Sequence, residues 1–575
     1  MKQLLATLNP YRVRIAVIVG LLFIQALTTL YLPELMSKIV DNGVITGNMR
    51  YVAGVGEFML GVTLLSVLCA VTAGLLASKT SAAFGKILRR RVFAQVQTFM
   101  PKDFEQLGTS SLTVRTTNDI MQVQQFVNML LRMMVMAPLM AVGGIIMAIY
   151  TDARLSLIVL IIMPILAITI YQVLGRSVAL FHMMQSKVDD LNRVLREHLT
   201  GVRVIRSFDR TDYELGRFND ANIALTAVSV RVYQIMAALM PILMLTMNFS
   251  TLAIIWFGGK LVSGGTMQIG SLMAFIQYVT QLMFSVMMVS AMFFMVPRAE
   301  ASAQRINEVL AISPTVNNPP QPSAPGRTRG HVEFEDVTFR YPGAQTAVLS
   351  HISFRLKPGQ MTALIGGTGS GKTTLISLIP RLADASSGRV LVDGVDVRAL
   401  DQRVLRQKIG YAPQSAVLFS GSVAENIRFG NPDASLQHVQ LAAEIAQANE
   451  FIERLPGGFD SMISQGGANL SGGQKHRLAM ARALVRKAEI YIFDDTFSAL
   501  DYKTDARLRA ALHQATRDAT VLIVSQRVSA VRDADQIIVL DDGVLAGVGT
   551  HQELMDSSET YRQIVTSQRT EEGTA

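Results

Sequence analysis

The stretch Gly366-Gly367-Thr368-Gly369-Ser370-Gly371-Lys372-Thr373-Thr374 carries the residue types and spacing best suited to chemistry. The apolar run before it, Thr362-Ala363-Leu364-Ile365, reads as a buried strand, and Leu375-Ile376-Ser377-Leu378-Ile379 after it reads as the first turns of a helix. Strand, glycine-rich loop and helix are the context of a phosphate-binding P-loop. Glycines let successive backbone N–H groups turn inward around phosphate oxygens. Lys372 then reaches the β- and γ-phosphates as a point charge, and the Thr373 hydroxyl is placed to ligate Mg2+. The N-terminus of the helix adds its positive dipole end. The expected ligand is Mg-ATP.

Other polar residues follow in a fixed order. Tyr341, after a strand-like segment, is available to stack on an adenine ring. Gln414 lies in Tyr411-Ala412-Pro413-Gln414, between the P-loop and a helical region. Leu470-Ser471-Gly472-Gly473-Gln474 precedes a helical run, 475–484; Ser471 can cap that helix, whose first N–H groups form a second anion site. Tyr491-Ile492-Phe493-Asp494-Asp495 is an apolar strand ending in two carboxylates, with Asp494 placed to hold Mg2+. Ser498-Ala499-Leu500-Asp501 follows, and a last strand, 521–524, ends at Ser525-Gln526-Arg527.

These residues occupy only the second half of a 575-residue chain. The first half, to about residue 298, has long uncharged stretches. Six of them, near 15–33, 52–77, 133–150, 155–174, 232–257 and 269–296, reach the roughly 20 residues a bilayer span requires. The first is too long for a signal-peptide core and has no cleavage-site pattern after it, so it reads as a retained span. Lys and Arg crowd the N-terminus, the second loop (Lys79 to Arg115) and the fourth (Arg176 to Arg217), which places those loops and both termini in the cytoplasm. The net charge of +9 is accounted for by these loops, so no nucleic-acid partner is expected. Helical periodicity at 84–100 and 188–208 extends the spans well beyond the membrane. Of 30 methionines, 26 precede residue 313, and flexible thioethers suit a surface that accepts many shapes. A proline-dense segment, 313–330, reads as an extended connector. The lone cysteine, Cys69, excludes an intrachain disulfide.

The soluble half resembles the nucleotide-binding domain of ATP-binding cassette (ABC) transporters, and LSGGQ at 470–474 is that family's signature. The six-span half resembles the exporter branch, so the likeness covers essentially the whole chain. It implies an α-helical six-span transmembrane domain with long cytoplasmic extensions (1–312), a linker (313–330), an α/β P-loop ATPase domain of ABC type (331–567) and a C-terminal tail (568–575). It further implies coupling helices near 108–119 and 208–216, ATP and Mg2+ as cofactors, and a second half-transporter, because each ATP lies between one chain's P-loop and the other's signature. By the same likeness Tyr341 is the adenine-stacking aromatic and Gln414 the Q-loop glutamine, joining Thr373 and Asp494 around Mg2+. Ser498 and Asp501 belong to the D-loop, and Gln526 stands at the switch-histidine position.

Two positions depart from the family pattern. The residue after Asp494 is usually the glutamate that polarises the attacking water; here it is Asp495, whose shorter stem withdraws the carboxylate by about 1.5 Å, where misplacement near 1 Å can cost about 10²-fold. Gln526 replaces histidine and cannot become cationic. Both fall on this chain's own ATP site, while its LSGGQ is intact. The pattern resembles the degenerate-site subunit of bacterial heterodimeric multidrug exporters, whose partner would carry the catalytic glutamate and switch histidine. The expected activity is ATP-driven efflux of amphipathic or apolar compounds across the cell membrane. The alternatives are export or flipping of a lipid, lipopeptide or other dedicated cargo, and an ATP-gated membrane protein that does not pump.

Overall fold

The computed structural model describes residues 1–573 except Pro325, Arg327 and Ala499. Ala499 of the 498–501 motif, Pro325 of the linker and the last two residues of the expected tail therefore lie outside the described residues. The chain divides into two compact units, Met1–Thr98 with Leu107–Ile312, and Phe99–Gln106 with Ser313–Ala575.

The first unit is built on six long helices: α1 (Arg12–Ile39), α2 (Met49–Val96), α3 (Ile120–Thr151), α4 (Ser156–Ser207), α5 (Thr211–Ser263) and α6 (Ile269–Ala311). Each lies in or contains a segment long and apolar enough to cross a membrane. The 48 to 53 residues of α2, α4 and α5 correspond to about 70–80 Å of helix, against a hydrocarbon layer of about 30 Å. Their surplus turns carry most of the basic residues of the second and fourth loops, Lys79 to Arg91 on α2 and Arg176 to Arg206 on α4 among them. Pro138, Pro164 and Pro241 sit inside α3, α4 and α5, as bundled membrane helices tolerate.

Buried carboxylates fasten this unit at two levels. Asp41, just past α1, accepts from the Gly270 N–H at the start of α6 at 2.7 Å and from the Ser37 hydroxyl at 3.1 Å. Asp119, just before α3, accepts from Arg305 Nε at 2.8 Å and Nη2 at 2.5 Å, and from the Ser302 hydroxyl at 3.0 Å.

Among its described residues the second unit carries twelve strands: β1 (Val332–Phe339), β2 (Leu349–Leu356), β3 (Met361–Ile365), β4 (Ser387–Val392), β5 (Val395–Asp396), β6 (Ile409–Ala412), β7 (Gly421–Ser422), β8 (Met462–Ile463), β9 (Ile490–Asp494), β10 (Thr520–Val524), β11 (Gln536–Asp541) and β12 (Val544–Gly549). The main sheet has the order β12-β11-β3-β10-β9-β6, and a second sheet has the order β2-β1-β4-β5. The strands β11, β3, β10, β9 and β6 are parallel to one another, with Val524 beside both Leu364 and Asp494. Five fully buried residues in β9 and five in β10 explain why both read as unbroken apolar runs rather than alternating ones. The register matters for function: β3, β9 and β10 end level, and the loops leaving their carboxyl ends open on one edge, where open α/β sheets bind ligands.

Between α2 and α3 the chain forms a short helix, Pro101–Leu107, most of which falls in the second unit's stretch Phe99–Gln106. Gly108, at φ 73°, breaks the chain after it, and Thr109–Val114 and a π turn, Arg115–Asp119, then lead into α3 within the first unit. In the second unit Asp103 takes hydrogen bonds from the Met100 N–H (2.8 Å) and the Thr315 hydroxyl, and Met100 Sδ accepts from Arg406 Nη2 at 3.6 Å. At 208–216 a turn with Asp209 at φ 50° runs directly into α5.

The proline-rich connector forms no helix or strand among its described residues, but it is fastened to its own unit. Ser323 N–H donates to Ala399 O (2.8 Å), Asn318 bonds both Asp401 (2.9 Å) and the Gln402 N–H (3.0 Å), and Val316 is buried.

Candidate nucleotide site

The P-loop leaves β3 and enters α7 (Lys372–Ser377). Gly369 (φ 86°) and Gly371 (φ 95°) occupy left-handed backbone that other residues rarely adopt. At Gly366 a Cβ would meet Leu540 O at 2.2 Å, so only glycine lets the loop pass β11. The Lys372 ammonium is held by Gly366 O (2.9 Å), Gly367 O (2.6 Å) and Ser370 Oγ (3.3 Å). Burial pushes it below the ordinary lysine value, with Asp495 and then Asp494 opposing.

A cavity of about 230 Å³ opens beside this loop. Thr368, Gly369, Gly371, Lys372, Thr373 and Thr374 line one side, with Gln414, Asp494, Asp495 and Gln526 across from them. Residues spread over 159 positions of sequence thus converge because the parallel strands end together.

Thr373 Oγ1 lies 3.4 Å from Asp494 Oδ1, while Asp494 Oδ2 is buried without a partner. Burial, reinforced by Asp495, raises the Asp494 carboxyl above its ordinary value despite Thr373 and Lys372. A hydroxyl, an amide oxygen at Gln414 and an unpartnered carboxylate oxygen are hard donors that fit Mg2+, and Thr373, Asp494 and Gln414 are the residues that would hold it. The ion would supply charge neutralisation between phosphate oxygens. Tyr341 stands at the loop's flank, its phenol oxygen 3.1 Å from Thr374 Oγ1 and its ring edge-on to Phe339. Gln526 Oε1 accepts from the Thr368 hydroxyl at 3.4 Å.

The other motif residues lie off the cavity. Ser471 caps α9 — for which α8 is Gln402–Gln407 and α9 is Gly472–Leu484 — through a reciprocal pair, Gln474 N–H to Ser471 Oγ (3.4 Å) and Ser471 N–H to Gln474 Oε1 (2.8 Å). Leu470 is buried, but Ser471 and Gly472 are exposed, as a surface offered to another chain would be. Ser498 donates to Asp495 O at 2.7 Å, and Asp501 caps α10 (Tyr502–Ala515) through Thr504, whose N–H and hydroxyl hold the carboxylate below its ordinary range.

Three further wall residues, Val348, Val524 and Ser525, were assigned no role. Val348 is placed there by the close approach of Gly371 and Gly543 to its carbonyl, a contact with no sequence signal. In the first unit a second, strongly apolar cavity of about 230 Å³ lies among α4, α5 and α6, lined by Leu166, Met240, Leu243, Met244, Met247, Met283, Phe284, Val286 and Met287.

Residues 15–286 match the family described as ABC transporter transmembrane region, and residues 349–498 match the family described as ABC transporter. An uncharacterized ABC transporter ATP-binding protein of Mycobacterium tuberculosis is 43% identical over 565 residues, covering 98% of this chain and 97% of that one. An ATP-dependent lipid A-core flippase of Chromobacterium violaceum is 32% identical, covering 94% and 92%. A Bacillus subtilis protein, named provisionally as a multidrug export ATP-binding/permease protein, is 29% identical and covers 99% of each. The fold is that of a bacterial Atm1-family ABC exporter solved with ATP bound, at TM-score 0.81 and 24% identity, over 97% of this chain and 98% of that one.

Proposed function

The chain belongs to the ABC transporter family, as a multi-pass membrane half joined to an ATPase domain, and from that premise we propose that it is one subunit of a heterodimeric exporter of amphipathic or apolar compounds. In this reading a second half-transporter completes the bundle, and ATP hydrolysis there drives transport. This chain's P-loop binds Mg-ATP and turns it over slowly. Its Ser471 and Gly473 complete the faster site on the partner.

The observation that carries the reading is the presence of Asp495 and Gln526 on the wall of one cavity. One is a shortened carboxylate where water must be polarised; the other is an uncharged amide held by Thr368. The exposed, fully capped Ser471 supports an intact role toward another chain. The methionine-lined cavity supports apolar cargo, since thioethers adapt to many shapes.

Movement of a lipid is the second reading, favoured by the flippase at 32% identity. Co-purification separates the assemblies: a mixed dimer whose ATPase is silenced by replacing the partner's catalytic glutamate supports the proposal, whereas a fully active dimer of this chain alone refutes it. Transport of a fluorescent cationic dye against a labelled phospholipid, by the same reconstituted dimer, decides the cargo.

A further inference from the structure

Sulfur is concentrated in one cavity of the first unit. Of the nine described residues that line the apolar cavity among α4, α5 and α6, five are methionines: Met240, Met244 and Met247 on α5, and Met283 and Met287 on α6. Spaced three and four residues apart, they form one sulfur-bearing face on each helix. The other four are leucine, phenylalanine and valine, so among the described residues no side-chain oxygen or nitrogen lines the cavity.

An apolar cargo does not need that arrangement. Leucine replaces methionine at nearly equal volume, and leucine, isoleucine and valine fill most of the core around the same cavity. What a thioether adds is a soft, polarizable sulfur on a chain of three rotatable bonds. Thioethers select Cu(I), whereas Mg2+ and Ca2+ require oxygen ligands, which these walls do not offer. The five also differ in depth. Met283 is buried and Met247 and Met287 are half-buried in one core cluster, whereas Met240 and Met244 are exposed. Three sulfurs from two helices therefore lie inward, and two stand at the exposed edge. The cavity, about 230 Å³, leaves these flexible side chains room to turn onto one ion.

We propose that this cavity is a Cu(I) site: the thioethers of Met247, Met283 and Met287 hold the ion in a shell of three sulfurs, and Met240 and Met244 pass it inward by ligand exchange. Each sulfur donates a lone pair, no proton is released and copper keeps its oxidation state. The ligands are neutral and no carboxylate lines the cavity, which suits a monovalent ion rather than a divalent one. The site goes beyond the cargo reading above. It needs neither a second subunit nor ATP hydrolysis, so it stands or falls separately from that reading.

Anaerobic titration of the full-length chain in detergent with Cu(I), against a chromophoric Cu(I) chelator, tests it in a Cys69→Ala background that removes the lone thiol. One tightly held Cu(I) per chain is expected, with equal affinity at about pH 7.5 and about pH 5.5, because thioethers do not titrate whereas imidazole ligands are lost to protonation. The triple variant Met247→Leu/Met283→Leu/Met287→Leu should weaken binding by roughly a hundredfold or more. Because each leucine nearly conserves volume, the same variant should bind a neutral hydrophobic fluorophore within about twofold of the unsubstituted chain. Met240→Leu/Met244→Leu should slow loading and change affinity by less than about threefold. X-ray absorption at the copper edge, which requires no variant to fold, should show a first shell of sulfur alone. Nitrogen or oxygen in that shell, unchanged Cu(I) affinity in the triple variant, or affinity lost in acid would overturn the proposal.

Discussion

The Thr368 hydroxyl donates to Gln526 Oε1 at 3.4 Å, which ties the residue at the switch position to the tip of the P-loop. An amide in that place holds the loop but brings no positive charge to a developing phosphate oxyanion. Restoring either departure alone should leave the site limited by the other. Asp495→Glu or Gln526→His alone should raise hydrolysis at this site by no more than about tenfold, and the double variant by more than the product of the two. Site-resolved nucleotide trapping in the dimer is the measurement; full-rate hydrolysis in Asp495→Glu alone would show that Gln526 is no obstacle.

Asp494 is the natural target for separating metal from nucleotide. Its Oδ2 is buried without a partner and Thr373 stands beside Oδ1. Asp494→Asn removes one anionic oxygen from the Mg2+ donors while keeping size. Its Mg2+ requirement for ATP binding should rise by about tenfold or more. Lys372→Ala should weaken binding at every Mg2+ concentration, because it removes the phosphate contact itself. Nucleotide binding titrated against Mg2+ distinguishes the two patterns.

How much of this was readable in the residues follows from how local each signal is. Spans, P-loop, LSGGQ and the paired carboxylates are contiguous runs, so composition and periodicity announce them. Their meeting in one cavity needs only level strand ends, and the unbroken apolar runs at 490–494 and 520–524 mark those strands as central. What stayed hidden depends on partners far apart in sequence. Thr315 reaches Asp103 across 212 positions, so nothing near Pro101 reveals that its helix joins the second unit. Likewise the proline-rich composition of 313–330 predicts extension but cannot show that Asn318 is bound at Asp401. One histidine on a helix carries no pattern, so nothing in the sequence marks His476; only its buried, unpartnered Nδ1 does.

Lys408 bridges Asp393 and Glu489, at 2.7 Å each, and Asp393 is 1% exposed. Replacing Lys408 with methionine strands a buried carboxylate whose remaining partner is the His331 N–H at 3.0 Å. The loss should be about 3 kcal/mol, with Lys408→Met/Asp393→Asn milder than Lys408→Met alone. Thermal unfolding of the ATPase unit within the full chain reads both; equal losses would mean that packing by the lysine stem, not charge, matters.

In the membrane unit the equivalent weak point is Arg305 on Asp119. The arginine supplies two parallel hydrogen bonds to a carboxylate that is 3% exposed, and Ser302 supplies a third. Arg305→Met should lower the unfolding temperature of the full chain in detergent and make α6 more accessible to protease near residue 305. Adding Asp119→Asn should recover part of the loss, since it removes the unpaired charge. No recovery in the double variant would argue that the guanidinium acts through Arg115 and Glu308 instead, a pair at 2.8 Å in the same region.

The last prediction concerns acid. Burial holds the folded His476 below its ordinary value of 6.5, despite Asp495. The unfolded chain therefore binds more protons at this position than the folded one as pH falls below about 6.5, and stability must fall with it. Above that pH both states are neutral here and the residue contributes no slope. His476→Asn removes the titrating group while keeping a donor, so the loss of stability between pH 7.5 and 5.5 should be smaller in the variant than in the wild type. Unfolding temperatures of the full chain across that range test the sign directly. A steeper acid dependence in His476→Asn would mean that Asp495 dominates burial and holds the folded imidazole protonated, the opposite electrostatic balance to the one the structure shows.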